Sequence, residues 1–400
     1  HAGNIPNLVK QGFRGEIVCT LATRDLAEIM LEDSAYIQEK DAQFLNKKAE
    51  KKGTKPEVEP LYTVEDARAC VAQFRGIPYG FATEVARGVR VEFRDAGHIL
   101  GSASVALSID VPGRGTRRLT FTGDLGRTGM PIIRDPEPCA PGDLAISEST
   151  YGDRVHPPIE DQEKKLADVV RRTADRGGKL IVPAFSVGRT QNLVYFLHRL
   201  FLRGELPPLP IYVDSPLSAK ATQVYRRHPE CYDAETQQAF LGDGRDPFGF
   251  GRLTYVETVE ESKALNDKKE ACVIISASGM CESGRILHHL KNNIPDPRNT
   301  VMIVGFQAEN TLGRRLVEKV PVVRIYGEEY PLVAEVVTMN GLSAHADREG
   351  LLAGFRRTPR MSQRAVLVHG ELPQSEALRA RLLELGVEAT IPEVGQKFEI

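Results

Sequence analysis

Apolar and polar positions along this 400-residue chain follow two different periods. Val89, Val91 and Phe93 alternate with polar neighbours, and so do Val105, Leu107 and Ile109. Leu119 and Phe121 continue the alternation beyond a Pro112-Gly113-Arg114-Gly115 turn. A period of two marks strands with one buried face, so residues 89–124 are predicted to be β. Glu16–Thr20 also reads as a strand. Thr23 is then placed to cap a helix that shows Leu26, Ile29 and Met30 on one side. A short strand is predicted at Leu144–Ile146.

Beyond Gly152 the texture changes. A helical stretch, Glu160–Arg176, leads into the continuously apolar strand Leu180–Ala184. A helix presenting Leu193, Phe196, Leu197 and Leu200 follows. Strands at Ile211–Asp214, Cys272–Ser276 and Val301–Gly305 come next, with a helix predicted at Gly284–Lys291. Strands alternating with helices predict parallel βαβ units and a second α/β domain. The last stretch gives strands at Glu335–Met339 and Ala365–Val368, a helix starting near Asp347 between them, and a final helix at Gln374–Leu385. Residues 38–60 are polar and bring Lys47, Lys48, Lys51, Lys52 and Lys55 together, which reads as a solvated helix or loop.

Composition adds bounds. Four hundred residues exceed one ordinary hydrophobic core, so two domains are expected. With 41% hydrophobic and 26% charged residues the chain reads as globular, and no apolar run approaches a membrane span. A net charge of −2 excludes a broadly basic nucleic-acid coat but leaves room for a local basic groove. None of the six cysteines forms a C-x-x-C pair. Cys19 and Cys272 lie in strand-like runs and read as buried free thiols, which fits a reducing cytoplasm.

The nine histidines carry the chemistry. His1, His98, His345 and His369 each stand at a strand end or loop junction beside Gly, Ala or Ser. Singly, such a histidine is ordinarily structural. Together with Asp124, which follows its own strand in Phe121-Thr122-Gly123-Asp124, they form the imidazole-plus-carboxylate set that divalent metals take. His288 and His289 fall in a predicted helix and read as packing or solvent-facing residues. His156, His198 and His228 have no ligand-like context.

Taken in order, these motifs resemble the metallo-β-lactamase superfamily, and more narrowly its β-CASP nucleases. His98 fits the third superfamily motif, and Asp124 in Thr122-Gly123-Asp124-Leu125-Gly126 fits the fourth. Ser147-Glu148-Ser149-Thr150-Tyr151-Gly152 resembles motif A, His345 fits motif B, and His369 fits motif C. Pro183–Gln191, Asp214-Ser215-Pro216 and Ser276–Met280 resemble loops of the β-CASP insert. The resemblance implies a metallo-β-lactamase αββα sandwich with an inserted α/β domain. It divides the chain into residues 1–153 (first part of the sandwich, lacking its N-terminal strands), 154–335 (the insert) and 336–400 (the last part of the sandwich).

It also implies two zinc ions, single-stranded RNA as partner, no membrane association and a cytoplasmic setting, with a homodimer left open. His1 looks like the last histidine of the family's H-x-H-x-D-H motif, whose earlier residues are absent from this sequence. One ion would keep only His98 and Asp124, while the other keeps His1, Asp124 and His369. The chain as it stands is therefore expected to be inactive, and the full-length protein to hydrolyse RNA with a metal-bound hydroxide. His345 is the expected general acid, oriented by Glu148, with Asp124 bridging the metals. A helix-capping role for His345, and a capping or salt-bridge role for Glu148, are the structural alternatives. Ser215, Ser278 and Gly279 are candidate phosphate contacts. Two other readings remain: a non-catalytic β-CASP scaffold subunit of an RNA-processing complex, and a small-ester metallohydrolase.

Overall fold

A computed structural model describes residues 2–51, 53–54, 58–242, 244, 246–357 and 359–400. His1, Lys52 and Lys55 lie outside the described residues.

Two large sheets organise the chain. The first has seven strands. Thr83–Ala86, Val89–Asp95, Ala103–Val111 and Gly115–Phe121 run antiparallel, and Leu144–Glu148, Arg364–Val368 and Glu388–Thr390 continue in parallel. The predicted alternation appears as buried Val91, Phe93 and Asp95 with half-exposed residues between them. Two antiparallel steps restore direction, so Val89–Asp95, Gly115–Phe121, Leu144–Glu148 and Arg364–Val368 all point the same way. Their carboxyl ends therefore share one edge of the sheet. The helices Arg348–Arg356 and Leu372–Glu384 cover one face, packing Leu351, Leu352, Phe355, Leu378 and Leu382 against Ala145, Ala365 and Leu367.

The second sheet has six strands, all parallel. Its central strands, Lys179–Pro183, Cys272–Ser276 and Thr300–Ile303, are buried at every position. Each splits its side chains between two cores. Leu180, Val182, Val273, Ile275 and Met302 face one cluster, and Ile181, Ile274, Val301 and Ile303 face the other. Continuous apolar runs are what burial on both faces requires. The strand Glu335–Thr338 pairs with Thr300–Ile303 and so belongs to this sheet, and the expected insert boundary falls at its first residue.

The two sheets meet through a shared cluster. Ala22, Leu26, Leu100, Ile132 and Ile133 pack with Tyr195, Val224, Tyr225 and Phe248. The Leu100 amide donates to the Tyr225 hydroxyl at 3.4 Å, two residues beyond His98.

Some local expectations shift. The first long helix runs over Leu21–Lys51, starting directly after the strand Ile17–Thr20, and the Thr20 hydroxyl rather than Thr23 accepts from a first-turn amide. The helix expected at 284–291 runs instead over Ile286–Asn293.

Candidate active site

The shared strand edge gathers the predicted residues. Val89–Asp95 leads to His98, Gly115–Phe121 to Asp124, Leu144–Glu148 ends on Glu148, and Arg364–Val368 leads to His369. Strand carboxyl ends are where open α/β sheets bind ligands. His345 arrives from the other sheet, beyond Glu335–Thr338 and a short 3-10 turn.

Backbone hydrogen bonds stitch these loops together. The Gly126 amide donates to the Ala96 carbonyl at 2.6 Å, Ala346 to Leu125 at 2.7 Å, and Arg127 to Ala344 at 2.9 Å. The Arg127 guanidinium also donates to the carbonyls of Gly341 and Pro157. A Cβ on Gly126 would stand 1.8 Å from the Gly97 carbonyl oxygen, so only glycine lets the His98 and Asp124 loops approach. Gly126→Ala is expected to cost about 1–3 kcal/mol of stability and to reduce activity by displacing His98. A thermal melt unchanged from wild type would contradict this close approach.

Buried Asp95 shapes the turn before His98. Its carboxylate accepts from the Gly97 amide at 2.9 Å and from Arg134 at 3.2 Å. Burial nonetheless raises its pKa to about 6. The amides of His98 and Ile99 then donate to the Ser102 hydroxyl at 3.0 and 3.2 Å.

The polar atoms converge. Asp124 Oδ2 lies 3.9 Å from His98 Nε2, and Oδ1 lies 3.6 Å from His369 Nδ1. The two oxygens of one carboxylate thus address two different histidines. The His98 and His345 ring centres are 4.3 Å apart, and those of His345 and His369 are 5.7 Å apart. His369 has φ +54°, a left-handed conformation held by the Thr150 hydroxyl, which donates to the His369 carbonyl at 2.9 Å.

Glu148 is buried at 1% exposure and has both carboxylate oxygens 3.2 Å from His345 Nδ1. It also accepts from the Leu125 amide at 2.6 Å. Burial acts to lower the His345 pKa, but the hydrogen bond and charge of Glu148 outweigh it, and the net shift is upward. His98 moves the other way. Burial first, and the neighbouring His345 second, hold it down to about 3, so it stays neutral as a ligand must. Asp347, and not His345, caps the helix Arg348–Arg356 by accepting from the Gly350 amide at 3.0 Å.

Among the described residues, ligand atoms of His98, Asp124 and His345 lie within 4.8 Å of one another, as do those of Glu148, His345 and His369. Imidazoles plus a carboxylate suit zinc. The donor set fits a metal.

The candidate phosphate contacts have local duties. The Ser215 hydroxyl caps the helix Pro216–Arg227, accepting from Ser218 at 3.1 Å. Ser278 accepts from the Glu282 amide at 3.2 Å, and Gly279 packs against Phe185. Asp214 beside Ser215 is locked by His289 and Arg285, each at 2.6 Å. His289 is therefore a packing residue, as its helical setting predicts.

Read from the sequence, His156 has no ligand-like context and neither Tyr151 nor Arg189 takes an individual role, though both stand inside motifs that carry the resemblance. The His156 ring faces Tyr151 with centres 4.7 Å apart, and its Nε2 lies 3.2 Å from the His345 carbonyl oxygen. Tyr151 stands inside the acidic motif, a signal that was available. Nothing in the sequence marks His156.

Comparison with known proteins matches this arrangement. The Beta-Casp domain description fits residues 190–316, and the Zn-dependent metallo-hydrolase RNA specificity domain fits residues 329–392. Ribonuclease TTHA0252 of Thermus thermophilus is 36% identical over 396 residues, covering 99% of this chain and 84% of that protein. Transcription termination factor FttA of Methanocaldococcus jannaschii is 33% identical over 380 residues, covering 93% of this chain and 57% of the relative. FttA of Pyrococcus abyssi is 31% identical, with 93% and 56% covered. The chain thus spans most of the Thermus protein but just over half the length of the FttA proteins. With its histidines and Asp124 gathered at the strand ends, its parallel second sheet and these relatives together, the chain belongs to the β-CASP family of the metallo-β-lactamase superfamily.

Proposed function

We propose that the protein is a zinc-dependent ribonuclease that hydrolyses phosphodiester bonds of single-stranded RNA. The observation that carries this reading is the convergence of His98, Asp124 and His369 beside the His345–Glu148 pair. The name of the Thermus relative supports RNA as the substrate. The free cysteines suit a cytoplasmic setting. On this reading the division at 153 and 335 would put metal chemistry on the first sheet and RNA clamping on the second, with the strand Glu335–Thr338 just past the division still pairing in the second sheet.

Zinc ions held by His98, Asp124, His369 and His1 would supply Lewis-acid charge and an activated water. The chain's own groups do the rest. Buried His98 remains an unprotonated donor. Asp124 turns Oδ2 toward His98 and Oδ1 toward His369, so its carboxylate could serve with either histidine in holding metal. Glu148 raises the His345 pKa and so favours its protonated form, from which His345 delivers a proton to the departing 3′ oxygen as the phosphorus–oxygen bond breaks. The products are a 3′-hydroxyl and a 5′-phosphate. Ser278 and Gly279 take a phosphate further along the strand, while Ser215 shapes the neighbouring loop and reaches RNA only if its capping bond is shared.

Incubating the full-length protein with an end-labelled single-stranded RNA tests this reading. Zinc-dependent cleavage leaving 5′-phosphate ends is expected. Cleavage that survives a chelator, or none with zinc present, would overturn it.

A further inference from the structure

Arg189 is the first residue of the helix Arg189–Leu202, at the entrance to the second sheet's domain. The preceding Gly188 has φ +79°, and a Cβ there would meet the Ile99 side chain at 2.8 Å. The helix start is thus pressed onto the loop that carries His98. Arg189 Nε and Nη1 are both buried, and neither has a hydrogen-bond partner. No carboxylate pairs with this guanidinium among the described residues. The residue as a whole keeps partial exposure.

An unpaired buried charge is costly, and proteins normally pair it or leave it in water. Burial lowers the Arg189 pKa only to about 10, so the side chain remains charged near neutrality. The helix start that carries it packs on Ile99, the neighbour of His98, and its charge acts against protonation of both His98 and His345. Arg127, a further cation on these loops, already donates to the Gly341 and Pro157 carbonyls. Arg189 Nε and Nη1 are donors without an acceptor, on a helix start pressed against the His98 loop.

We propose that Arg189 binds a non-bridging oxygen of the RNA phosphate at the cleavage site, completing its ion pair only when substrate is present. This rests on the ribonuclease reading above. A planar guanidinium suits a phosphate because it donates two parallel hydrogen bonds. The side chain would orient the phosphorus against Asp124 and His345 while neutralising charge on the phosphate oxygen it holds.

The test compares zinc-loaded full-length wild type with Arg189→Gln and Arg189→Lys, using a short end-labelled single-stranded RNA over a range of salt. Arg189→Gln is expected to lose about 10- to 100-fold in kcat/KM, the range of a lost charge-assisted hydrogen bond. The slope of log kcat/KM against log salt should become shallower by about 0.7, the signature of one phosphate contact on a single strand. Arg189→Lys should recover the slope and only part of the rate. Without RNA, the glutamine variant should melt at or above the wild-type temperature, because an uncompensated charge has been removed. Wild-type kinetics and slope in Arg189→Gln would overturn the proposal. So would a lowered melting temperature whose rate loss lysine does not recover, since that marks a structural role. Absence of RNA cleavage by wild type would instead sink the ribonuclease reading, and the RNA-phosphate role with it.

Discussion

Replacing His345 with alanine should slow RNA cleavage by about 10²- to 10⁴-fold, the range for a lost general acid. The geometry gives the reason. Both Glu148 oxygens address His345 Nδ1 at 3.2 Å, leaving Nε2 as the nitrogen available to the substrate. Zinc content decides between two roles, because His345 also falls within both groups of possible ligands. Unchanged zinc in His345→Ala supports proton donation. A loss of zinc matching the loss of rate would move His345 into the metal shell instead.

Glu148→Gln offers a companion measurement with a definite sign. Glu148 raises the His345 pKa, so the protonated acid persists to higher pH. The amide removes that charge, the pKa falls, and the protonated fraction is lost earlier as pH rises. The basic limb of the rate profile should therefore move toward lower pH. A limb that stays in place would mean that another group limits the reaction there.

Asp124→Asn is the second change with a large expected effect. One carboxylate faces His98 through Oδ2 and His369 through Oδ1. An amide keeps the shape but removes the negative charge and turns one oxygen into a donor. Zinc bound per chain should fall, and cleavage should drop at least as far as in His345→Ala. Metal analysis after gel filtration, paired with the RNA assay, checks both. Full zinc content with full activity would remove Asp124 from the centre. Because the side chain is polar and partly solvated, the folded variant should melt close to wild type.

Much of this site is legible in one dimension. The period-two runs at Val89–Phe93 and Val105–Ile109 correspond to neighbouring antiparallel strands, and the continuous run at Leu180–Val182 is buried on both faces. Small residues stand beside His98, Asp124, His345 and His369 in the sequence, and one of them, Gly126, lets two loop backbones approach closely against Gly97. One overlooked element also carried a signal. Val322–Ile325 and Glu328–Pro331 pair as a hairpin across Tyr326-Gly327, with φ +54° and +86°. A two-residue loop with both residues left-handed is the favoured hairpin turn, but tyrosine in its first position hides it.

The sequence by itself determined the strand and helix periods, the order of motifs and the types of ligand available, because these depend on neighbours a few positions apart. Only the tertiary structure decided who faces whom. His345 and Glu148 are separated by 197 positions and His156 and His345 by 189, and their contacts arise because two sheets close around Leu100 and Tyr225. Which histidine has its pKa lowered, which has it raised and which arginine goes without a partner among the described residues depend on burial and on distances across that junction. Desolvation and Coulomb energy are set by three-dimensional surroundings, and a linear string of residues does not contain them.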